Sequence, residues 1–551
     1  MNKNVLKKIV IYLCVTLLAL AVYYVTLPAI NLQSPDFWIF LAFLIFIYTA
    51  PYSLKIIKGG ASTVKKSSKN SFPINFDLKL GKLSYLAIIP IAVVLVGTMI
   101  SSTFFNARAY ARVISVEESV FEEDMPETTN VTNIALMDTP SAQKLGDKKL
   151  GSLSEYVSQY VVSEQYNQIN YEDLPKKVAV LEYGDFFKWL GNRAKGVPGY
   201  IMVDPVNNKA EYIELKTPLK YVESAFFGED LQRKLRFSYP TKILGTPRYE
   251  IDDDGNPVYV VPCFRPRVSL FGAQDVREAI IFDPCTGESQ IYKVGEIPEW
   301  VDVVFDGDIA SQKYNWFGTL SGGYFNSVIG NRGCKQTTDD YGYLALDNDV
   351  WYFTGVTSVA GDESNIGFII SNARTGQYKY YPVIGASEHA AMSAAEGEVQ
   401  NMRYVASFPA LVNLYGQATY IMLLKDSSGI VKMTSLVNVE HYNSIIATGN
   451  NQSEAMKAYR DMLIEQGLIS GTPASGNKKQ ITVLSVKERV IGGNTVFFFE
   501  VNENGQTVYY TINIADDQTA IFISAGDTIN VTAEESGNDN IFVITSWSKD
   551  E

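Results

Sequence analysis

Apolar residues are concentrated in three uncharged runs near the N-terminus, at residues 9–27, 37–54 and 86–100, and the last run continues as apolar sequence to Phe105. A helix of about 20 apolar residues crosses the roughly 30 Å hydrocarbon core of a bilayer. Each run reaches or approaches that length. The pattern therefore predicts three transmembrane helices that form a membrane anchor over residues 1–105.

The lysines around these runs predict how the helices are oriented, because cytoplasmic loops retain lysine and arginine whereas short translocated loops lack them. The loop at residues 28–36 has no basic residue, whereas the loop between the second and third runs has seven lysines. These are Lys55, Lys58, Lys65, Lys66, Lys69, Lys79 and Lys82. The N-terminus is expected in the cytoplasm, and an odd number of crossings places everything after Phe105 outside, as in a bacterial plasma membrane protein.

The first run also resembles a secretory signal peptide, because Lys3, Lys7 and Lys8 precede it. Its apolar stretch is longer than the usual core of a signal peptide, and no small-x-small cleavage site follows it. An uncleaved anchor is the preferred interpretation.

Charge and cysteine content limit the partners and the compartment. The chain carries a formal charge of −13, and residues 1–83 contain ten lysines and two aspartates, so residues 84–551 carry −21. A region this acidic repels phosphate polymers, which argues against nucleic acid as a partner. Besides Cys14, only Cys263, Cys285 and Cys334 are present, which allow at most one intrachain bridge. Such low cysteine use suits a bacterial envelope protein better than a disulfide-rich secreted scaffold.

Beyond residue 200 the pattern changes to short strands and turns, and one hairpin pattern occurs three times. The copies are IMVDPVNNKAEYIEL, IIFDPCTGESQIYKV and FIISNARTGQYKYYPV. Asp204 aligns with Asp283, and Gly228, Gly307 and Gly397 then follow at matching or nearly matching distances. Asp, Asn and Gly close such turns because they tolerate positive φ.

Amphipathic segments between the hairpins predict helices at residues 219–227, 298–305 and 388–396. Each repeat is therefore interpreted as a helix laid on a small antiparallel sheet. This order, with its DP-x-TGE turn, resembles the PepSY module, and the best-matching residues are Asp283, Thr286, Gly287 and Glu288. The resemblance implies small extracytoplasmic α+β units that regulate envelope proteases or bind partners without catalysis of their own.

After the anchor, the predicted α+β fold has three more parts. Residues 106–199 are interpreted as a stalk with a helical entry segment, and residues 200–470 as the tandem modules. A capped helix is predicted from Asn451 within that part. Residues 476–551 contain five or six strands, which predict a small all-β barrel of OB-like type.

The middle copy alone contains an insertion, residues 315–343, that is rich in glycine and aromatic residues. Long connections in compact modules often carry binding residues, because a rigid frame positions them. Its candidate anchors are of types favoured at interfaces: Trp316, Tyr324, Phe325 and Arg332. The alternative is an extra hairpin that only packs the core, and the sequence leaves both open.

Clustered aspartates support a different hypothesis, an extracytoplasmic hydrolase or protease regulator with a carboxylate-lined site. The residues are Asp306, Asp308, Asp339 and Asp340. Each falls in a turn-like context, where aspartate is favoured for backbone hydrogen bonding, so convergence in one cleft is what distinguishes an enzyme. The sequence contains no GxSxG, HExxH or calcium-loop spacing, and it predicts no metal site and no cofactor.

Together these features predict a membrane-anchored, extracytoplasmic binding or scaffolding protein of the bacterial cell envelope that does not catalyse a reaction. The expected partners are membrane lipid, through the three helices, and another envelope protein or polymer.

Overall fold

A computed structural model describes residues 3–53, 82–128, 136–172, 174–338, 340–346, 349–359, 364–470, 479–491, 494–503, 506–514, 517–535 and 540–549. The chain divides into two compact units. Unit 1 comprises Met1–Glu118, Thr139–Asp362 and Phe368–Tyr380, and unit 2 comprises Ser119–Asp138, Glu363–Gly367 and Tyr381–Glu551. Each unit is therefore built from segments that are distant in sequence.

Helices occur in both units. In chain order they are α1 (Lys3–Thr26), α2 (Pro35–Ser53), α3 (Ile88–Ile100), α4 (Thr103–Ala111), α5 (Phe121–Asp124), α6 (Thr139–Gly151), α7 (Phe186–Asn192), α8 (Leu231–Ser238), α9 (Gly307–Leu320), α10 (Glu388–Glu398) and α11 (Gln452–Glu465). Helices α5, α10 and α11 belong to unit 2 and the others to unit 1. A 3₁₀ turn at Lys82–Ala87 leads directly into α3.

Among the residues that the structure describes, two helical stretches are long and apolar enough to cross a membrane, Val5–Thr26 and Leu83–Ile100. Only 6% of the first and 22% of the second is buried, unlike the core helix of a soluble domain. The apolar part of α2, Pro35–Ala50, extends for about 24 Å, which is shorter than the hydrocarbon core of a bilayer. The predicted set of three transmembrane helices is therefore wrong. The N-terminal region instead carries two apolar helices of the kind that form a membrane anchor or a signal sequence.

The N-terminal helices lie side by side with alternating direction. Tyr12, in the first half of α1, stacks on Tyr48, in the second half of α2, with ring centroids 6.4 Å apart. The hydroxyl of Thr49 in α2 lies 3.4 Å from that of Ser84, at the start of Leu83–Ile100. Helices α1 and α3 therefore point the same way.

Strands make up most of the remaining chain. The first seventeen described strands are β1 (Val116–Glu118), β2 (Tyr160–Val162), β3 (Asn167–Tyr171), β4 (Leu174–Tyr183), β5 (Val197–Asp204), β6 (Lys209–Leu219), β7 (Ile243–Leu244), β8 (Arg248–Ile251), β9 (Pro257–Val268), β10 (Gly272–Phe282), β11 (Ser289–Lys293), β12 (Lys335–Thr337), β13 (Gly342–Leu346), β14 (Asp349–Ser358), β15 (Ser364–Asn365), β16 (Gly367–Asn372) and β17 (Tyr378–Tyr381). The following strands are β18 (Gly385–Ala386), β19 (Val405–Ala406), β20 (Ala410–Leu414), β21 (Gln417–Lys425), β22 (Val431–Asn438), β23 (Ile446–Gly449), β24 (Lys479–Thr482), β25 (Ser485–Ile491), β26 (Asn494–Glu503), β27 (Gln506–Asn513), β28 (Thr528–Glu535) and β29 (Ile541–Lys549).

The described strands of unit 1 pair into three sheets. Sheet I has the order β2-β4-β5-β6 with β3 also on β4, and sheet II has the order β11-β10-β9-β7 with β8 also on β9. Sheet III has the order β1-β17-β16-β14-β12 with β13 also on β14, and β1 joins β17 in parallel. Helix α9 packs against β12 and β14 of sheet III. Sheet I begins at β2, so the segment predicted as a helical entry contains strands as well as helices.

The three predicted hairpins all form, as β5–β6, β10–β11 and β16–β17. In each turn, the first side chain accepts hydrogen bonds from the amides two and three residues later, at 2.7–3.2 Å. These acceptors are Asp204, Asp283 and Asn372. The three turns therefore share one geometry, while the common origin of the repeats and their PepSY-like character stay predictions.

Two of the three helices expected between the hairpins are wrong. Residues 219–227 and 298–305 contain no α-helix, and α8 and α9 begin farther along the chain. The helices start there because Asp230 and Asp306 cap them, each accepting a hydrogen bond from the amide three residues later, at 2.7 and 2.8 Å. Val301, Val304 and Phe305 of this segment pack into the core from irregular backbone that contains a turn and a bend. The third helix forms as predicted, as α10.

Unit 2 contains a sheet covered by helices. Its strand order is β19-β21-β22-β23 with β20 also on β21, and α10 and α11 pack on it. Tyr459 of α11 is buried, and its hydroxyl lies 2.7 Å from the Thr419 hydroxyl and 3.0 Å from the Asn438 amide. Asn451 caps α11 as predicted, since its side chain accepts a hydrogen bond from the Glu454 amide at 2.8 Å. The strands β15 and β18 form a separate pair.

The C-terminal strands form one six-stranded sheet in the order β24-β28-β29-β27-β26-β25. Its last strand lies in the middle of the sheet, antiparallel to β28 and parallel to β27. Only Val483 and Leu484 separate β24 from β25, and their amides donate to the carbonyls of Asp527 and Glu500 at 2.9 and 2.7 Å, so one continuous stretch of chain reaches both ends of the strand order. The parallel pairing of β29 with β27 makes this a mixed sheet, and the predicted OB-like barrel stays a prediction.

Candidate functional site

One face of α9 carries partly or fully exposed side chains, all polar except Trp316, which also packs against a buried cluster. They follow the i, i+3, i+4 spacing of a single helical face: Asp308, Ser311, Gln312, Asn315, Trp316 and Thr319. The opposite face buries Ala310, Lys313 and Tyr314. Because the second face holds the helix in the protein, the polar face is free to contact a ligand.

The polar face borders a cavity of about 460 Å³, named here the Trp316 cleft. Its other wall consists of Gln336, Thr337, Thr338 and Tyr341. Asn315 joins the walls, because its side-chain oxygen accepts from the Thr337 amide at 2.8 Å and its nitrogen donates to the Thr337 hydroxyl at 3.1 Å. A methyl group on Gly318 would lie 2.3 Å from the carbonyl oxygen of Lys335, so this glycine sets the close approach of α9 to β12.

The cleft offers hydrogen-bonding groups that no described residue engages. The hydroxyls of Ser311 and Thr338 already bond to other side chains. The amides of Gln312 and Gln336 and the carboxylate of Asp308 make no hydrogen bond with any described residue. These groups can donate and accept hydrogen bonds to a ligand.

Two aromatic residues complete the lining. The Trp316 ring meets Tyr110 edge to face, with centroids 5.0 Å apart, and this contact supports it from behind. Tyr341 packs against Tyr343 and Tyr352. Burial, followed by the nearby Tyr343, raises the pKa of Tyr341, so its hydroxyl keeps its proton and can donate.

Of the four residues predicted as binding anchors, Tyr324 and Phe325 are in ring contact, with centroids 5.9 Å apart. Trp316 lines the cleft. Tyr324 packs on Phe104 with ring centroids 5.0 Å apart, and Phe325 beside it is 69% exposed. Arg332 is exposed and does not line the cleft. Only Trp316 of the four lines the cleft, although Trp316 and Tyr324 pack against the same buried cluster, and a binding role for the four residues stays a prediction.

The predicted carboxylate cluster is also divided. Asp306 caps α9 and forms an ion pair with Arg248. Asp308 lines the cleft, and the Asp340 carboxylate accepts from the amide of the next residue at 3.1 Å. Asp339 lies outside the described residues. Of the described aspartates in this set, only Asp308 reaches the cleft, and the hypothesis of a carboxylate-lined site stays a prediction.

Metal-binding side chains and thiols form no cluster in the part of the chain that the structure describes. No group of three or more His, Cys, Asp or Glu side chains there is arranged to hold a metal ion. The four cysteines are free thiols, and Cys263 and Cys334 are buried.

A second cavity, of about 390 Å³, was not anticipated from the sequence. Residues 113–115, 117, 275–277 and 375–379 contribute to its lining. Lys313 lies at this cavity with only 5% of its side chain exposed, and it donates to Asp275 at 2.7 Å. Burial lowers the pKa of Lys313, and the nearby Asp275 opposes that shift. Asp275 also pairs with Arg267 at 3.3 Å.

This ion pair joins α9 to β10 and is satisfied within the protein. Its role is therefore to hold α9 in place. The lysine stands out in the sequence on an otherwise apolar helix face, but its partner lies 38 residues away on another element. No local pattern could have joined the two.

Comparisons with known proteins do not assign a family. No family model matches the sequence, and no curated protein matches it. Among solved structures, the chain is similar to a glycosyl hydrolase from Bacteroides ovatus at 10% identity, over 72% of this chain and 99% of that chain, with a TM-score of 0.16. A score this low does not indicate a shared fold, so the likeness supports no functional assignment.

Proposed function

We propose that this protein is a membrane-anchored, extracytoplasmic binding protein of the bacterial cell envelope. Its Trp316 cleft binds a neutral, hydroxyl-rich glycan segment of an envelope polymer and does not catalyse a reaction. The observation that carries the proposal is the lining of the cleft, where unused amide and carboxylate groups surround a supported tryptophan ring.

The lining suits the chemistry of a neutral sugar. Sugar hydroxyls need both donors and acceptors, which the amides of Gln312 and Gln336 supply together, and Asp308 adds an acceptor. The apolar face of a sugar ring packs on an aromatic surface such as Trp316. A phosphorylated ligand fits less well, because Asp308 and the charge of −21 on residues 84–551 repel it.

Lysine placement and helix contacts support an extracytoplasmic position for unit 1. Lys3, Lys7 and Lys8 lie at the start of α1, and seven lysines precede or begin the stretch Leu83–Ile100. Unit 1 is attached at the opposite ends of these two apolar helices. The Ile30 amide donates to the Pro240 carbonyl at 2.7 Å, and the Ser101 hydroxyl accepts from the Phe271 amide at 3.1 Å. Because α1 and α3 point the same way, the chain must return between them, and α2, which runs antiparallel to α1, is the short segment that returns it. The lysines at the starts of the two apolar helices then favour a cytoplasmic N-terminus and place the residues after Ile100 on the outer face of the plasma membrane.

The hairpin turn around Asp283 supports the PepSY-like interpretation of sheet II. The Thr286 hydroxyl donates to the Asp283 carboxylate at 2.6 Å, and Gly287 adopts a φ of 82° that favours glycine. In this interpretation the sheets form a binding module that also presents the protein to another envelope protein. Nucleic acid remains disfavoured by charge.

The test is calorimetric titration of the full chain in lipid nanodiscs with neutral oligosaccharides of glucose and of N-acetylglucosamine. One of these series should bind, and Trp316→Ala should weaken binding by about tenfold or more. Phe317→Ala is the matched control, because Phe317 is a partly buried aromatic residue on the same helix that does not line the cleft.

Absence of binding to every oligosaccharide, or equal affinity of Trp316→Ala and the parent chain, would contradict the proposal. Appearance of new reducing ends during the titration would favour the alternative, a hydrolase with a carboxylate-lined site.

A further inference from the structure

We propose that two aromatic patches of unit 1, each beside the end of one apolar helix, insert into the interface of the lipid bilayer. The part of unit 1 outside the apolar helices then contacts the membrane surface directly and is not held only through those helices. The inference depends on the anchoring part of the proposed function, and it is independent of what the Trp316 cleft binds.

The first patch adjoins the C-terminal end of α3. Phe104 and Phe105 open α4 directly after that end, and both are half exposed. Phe325 is 69% exposed and lies 6.1 Å from Phe104, centroid to centroid, and Ile329 in the following turn is 78% exposed. Val328 between them is also exposed. Large apolar side chains therefore cluster where the membrane helix ends.

The turn that carries this patch is held in shape. The Asn326 side chain accepts from the amide of Arg332 at 3.2 Å and donates to its carbonyl at 3.0 Å. Asn331 closes the turn in the left-handed region, with a φ of 48°. A turn fixed in this way presents Phe325 and Ile329 outward at little cost in conformational entropy on insertion.

The second patch adjoins the C-terminal end of α1. Phe237 lies 6.0 Å from Tyr23 of that helix, and the Arg233 guanidinium lies 4.4 Å from the centre of the Tyr24 ring. Arg233 also donates to the carbonyl of Phe227 at 2.9 Å. The exposed apolar side chains of this patch are Phe187, Leu190, Phe226, Phe227 and Phe237.

The position of the patches argues for lipid as the occupant. Both are continuous with the ends of helices that are long enough to cross a bilayer, and therefore lie at the depth of its interface. Apolar side chains such as Phe and Leu on a peripheral surface become buried at the boundary between the lipid headgroups and the acyl chains. Contiguous exposed apolar surface on a soluble face would instead be a liability.

The test uses tryptophan as a depth probe in the full chain, reconstituted in bilayers with and without lipids brominated on their acyl chains near the headgroup. Phe325→Trp and Phe187→Trp each add one tryptophan to a patch, and the emission of the parent chain is subtracted. Both added signals should be blue-shifted and should lose intensity with the brominated lipid.

Leu174→Trp is the matched control. Leu174 is an exposed apolar residue at the start of β4, whose other end leads into α7, so it lies one strand length, about 30 Å, from the second patch. Its added signal should stay water-like and unquenched.

Flotation of the chain with liposomes separates the two claims. Suppose that the chain floats, but the added tryptophans of Phe325→Trp and Phe187→Trp are as water-like and unquenched as that of Leu174→Trp. This result would overturn the insertion of the patches and leave the anchor intact. It is the result expected if the patches bind a protein partner. A chain that does not float refutes both the anchor and the patches, whatever the oligosaccharide titration shows.

Discussion

Gln312 shows at the residue scale how the cleft is expected to recognise a ligand. Its amide is exposed on α9 and makes no hydrogen bond with a described residue. A single hydrogen bond contributes about 0.5–1.5 kcal/mol, so Gln312→Ala should weaken oligosaccharide binding by about two- to tenfold. The free energy of unfolding should change by less than about 0.5 kcal/mol, because the exposed side chain makes no hydrogen bond with a described residue.

Calorimetry and thermal unfolding measure the two quantities. Gln232→Ala, an exposed glutamine on α8, is the control and should leave affinity unchanged. Equal effects of the two variants would show that Gln312 does not contact the ligand.

A buried carboxyl pair of unit 1 makes its stability depend on pH. Glu250 accepts from the amides of Asp302 and Val303, both at 3.0 Å, and Asp302 accepts from the Asn170 amide at 2.9 Å. Burial, and then the adjacent Glu250, raises the pKa of Asp302, and burial raises the pKa of Glu250. The folded state therefore favours the protonated form of the pair.

Because the folded pKa values lie above the unfolded values, this stabilisation is fully present below about pH 4 and is lost as pH rises through the folded values. Unit 1 should be less stable at pH 8 than at pH 5, and Asp302→Asn should remove about 2 kcal/mol of that difference. Thermal unfolding followed by circular dichroism at both pH values measures it. Asp253→Asn, in an exposed turn, should keep the parent's pH dependence, and an unchanged slope in Asp302→Asn would refute the assignment.

At the scale of single elements, the position of helix α9 sets the shape of the cleft, because α9 forms one of its walls. The ion pair of Lys313 with Asp275 holds the opposite face of α9. The distance of α9 from β12 depends on Gly318. Replacing glycine by alanine inside a helix ordinarily stabilises it by about 1 kcal/mol. Here the added methyl group would overlap the backbone of Lys335, so the steric effect should prevail.

Gly318→Ala should lower the thermal midpoint of unit 1 and weaken oligosaccharide binding by about tenfold or more, because β12 must move away from α9. Gly191→Ala in α7 is the matched control, since a methyl group there meets no atom within 4 Å. The control should be neutral or slightly stabilising. Equal thermal midpoints for Gly318→Ala and Gly191→Ala would mean that β12 can move away from α9 without loss of stability.

The elements that the sequence predicted correctly depend on local chemistry. Hydrogen-bond partners lie within a few residues in the hairpin turns at Asp204 and Asp283 and in the helix cap at Asn451. The local sequence is therefore enough to predict these features. The helices expected at 219–227 and 298–305 failed because apolar spacing was followed without the capping aspartates. The residues of the polar face of α9 also recur at helical spacing in the sequence, so this face could have been predicted.

Non-local contacts explain most of what the sequence missed. The wall opposite α9, the pairing of Lys313 with Asp275 and the parallel contact of β27 with β29 join residues far apart in the chain. Trp316 was predicted as a binding residue because it is aromatic and lies in a long connection rich in glycine and aromatic residues. Trp316 alone of the predicted anchors lines the cleft, because α9 ends at Leu320, before Tyr324 and Phe325.

At the scale of the whole molecule, the proposed function requires the bulk of the chain to lie outside the cytoplasm. The two apolar helices point the same way, with lysines at their starts and unit 1 at their ends. A peptide tag fused at the C-terminus should be removed by protease added to spheroplasts, and a tag at the N-terminus should be protected. Protection of the C-terminal tag would place the cleft in the wrong compartment for an envelope glycan.

The central claim is that a neutral glycan packs on Trp316, and the most direct measurement is a fluorescence titration of the full chain in nanodiscs with the oligosaccharide series. The parent should show a saturable change in tryptophan emission, and Trp316→Phe, which keeps an aromatic ring but removes the fluorophore, should lose that change. An identical change in Trp316→Phe, or none in the parent with any oligosaccharide, would contradict the claim.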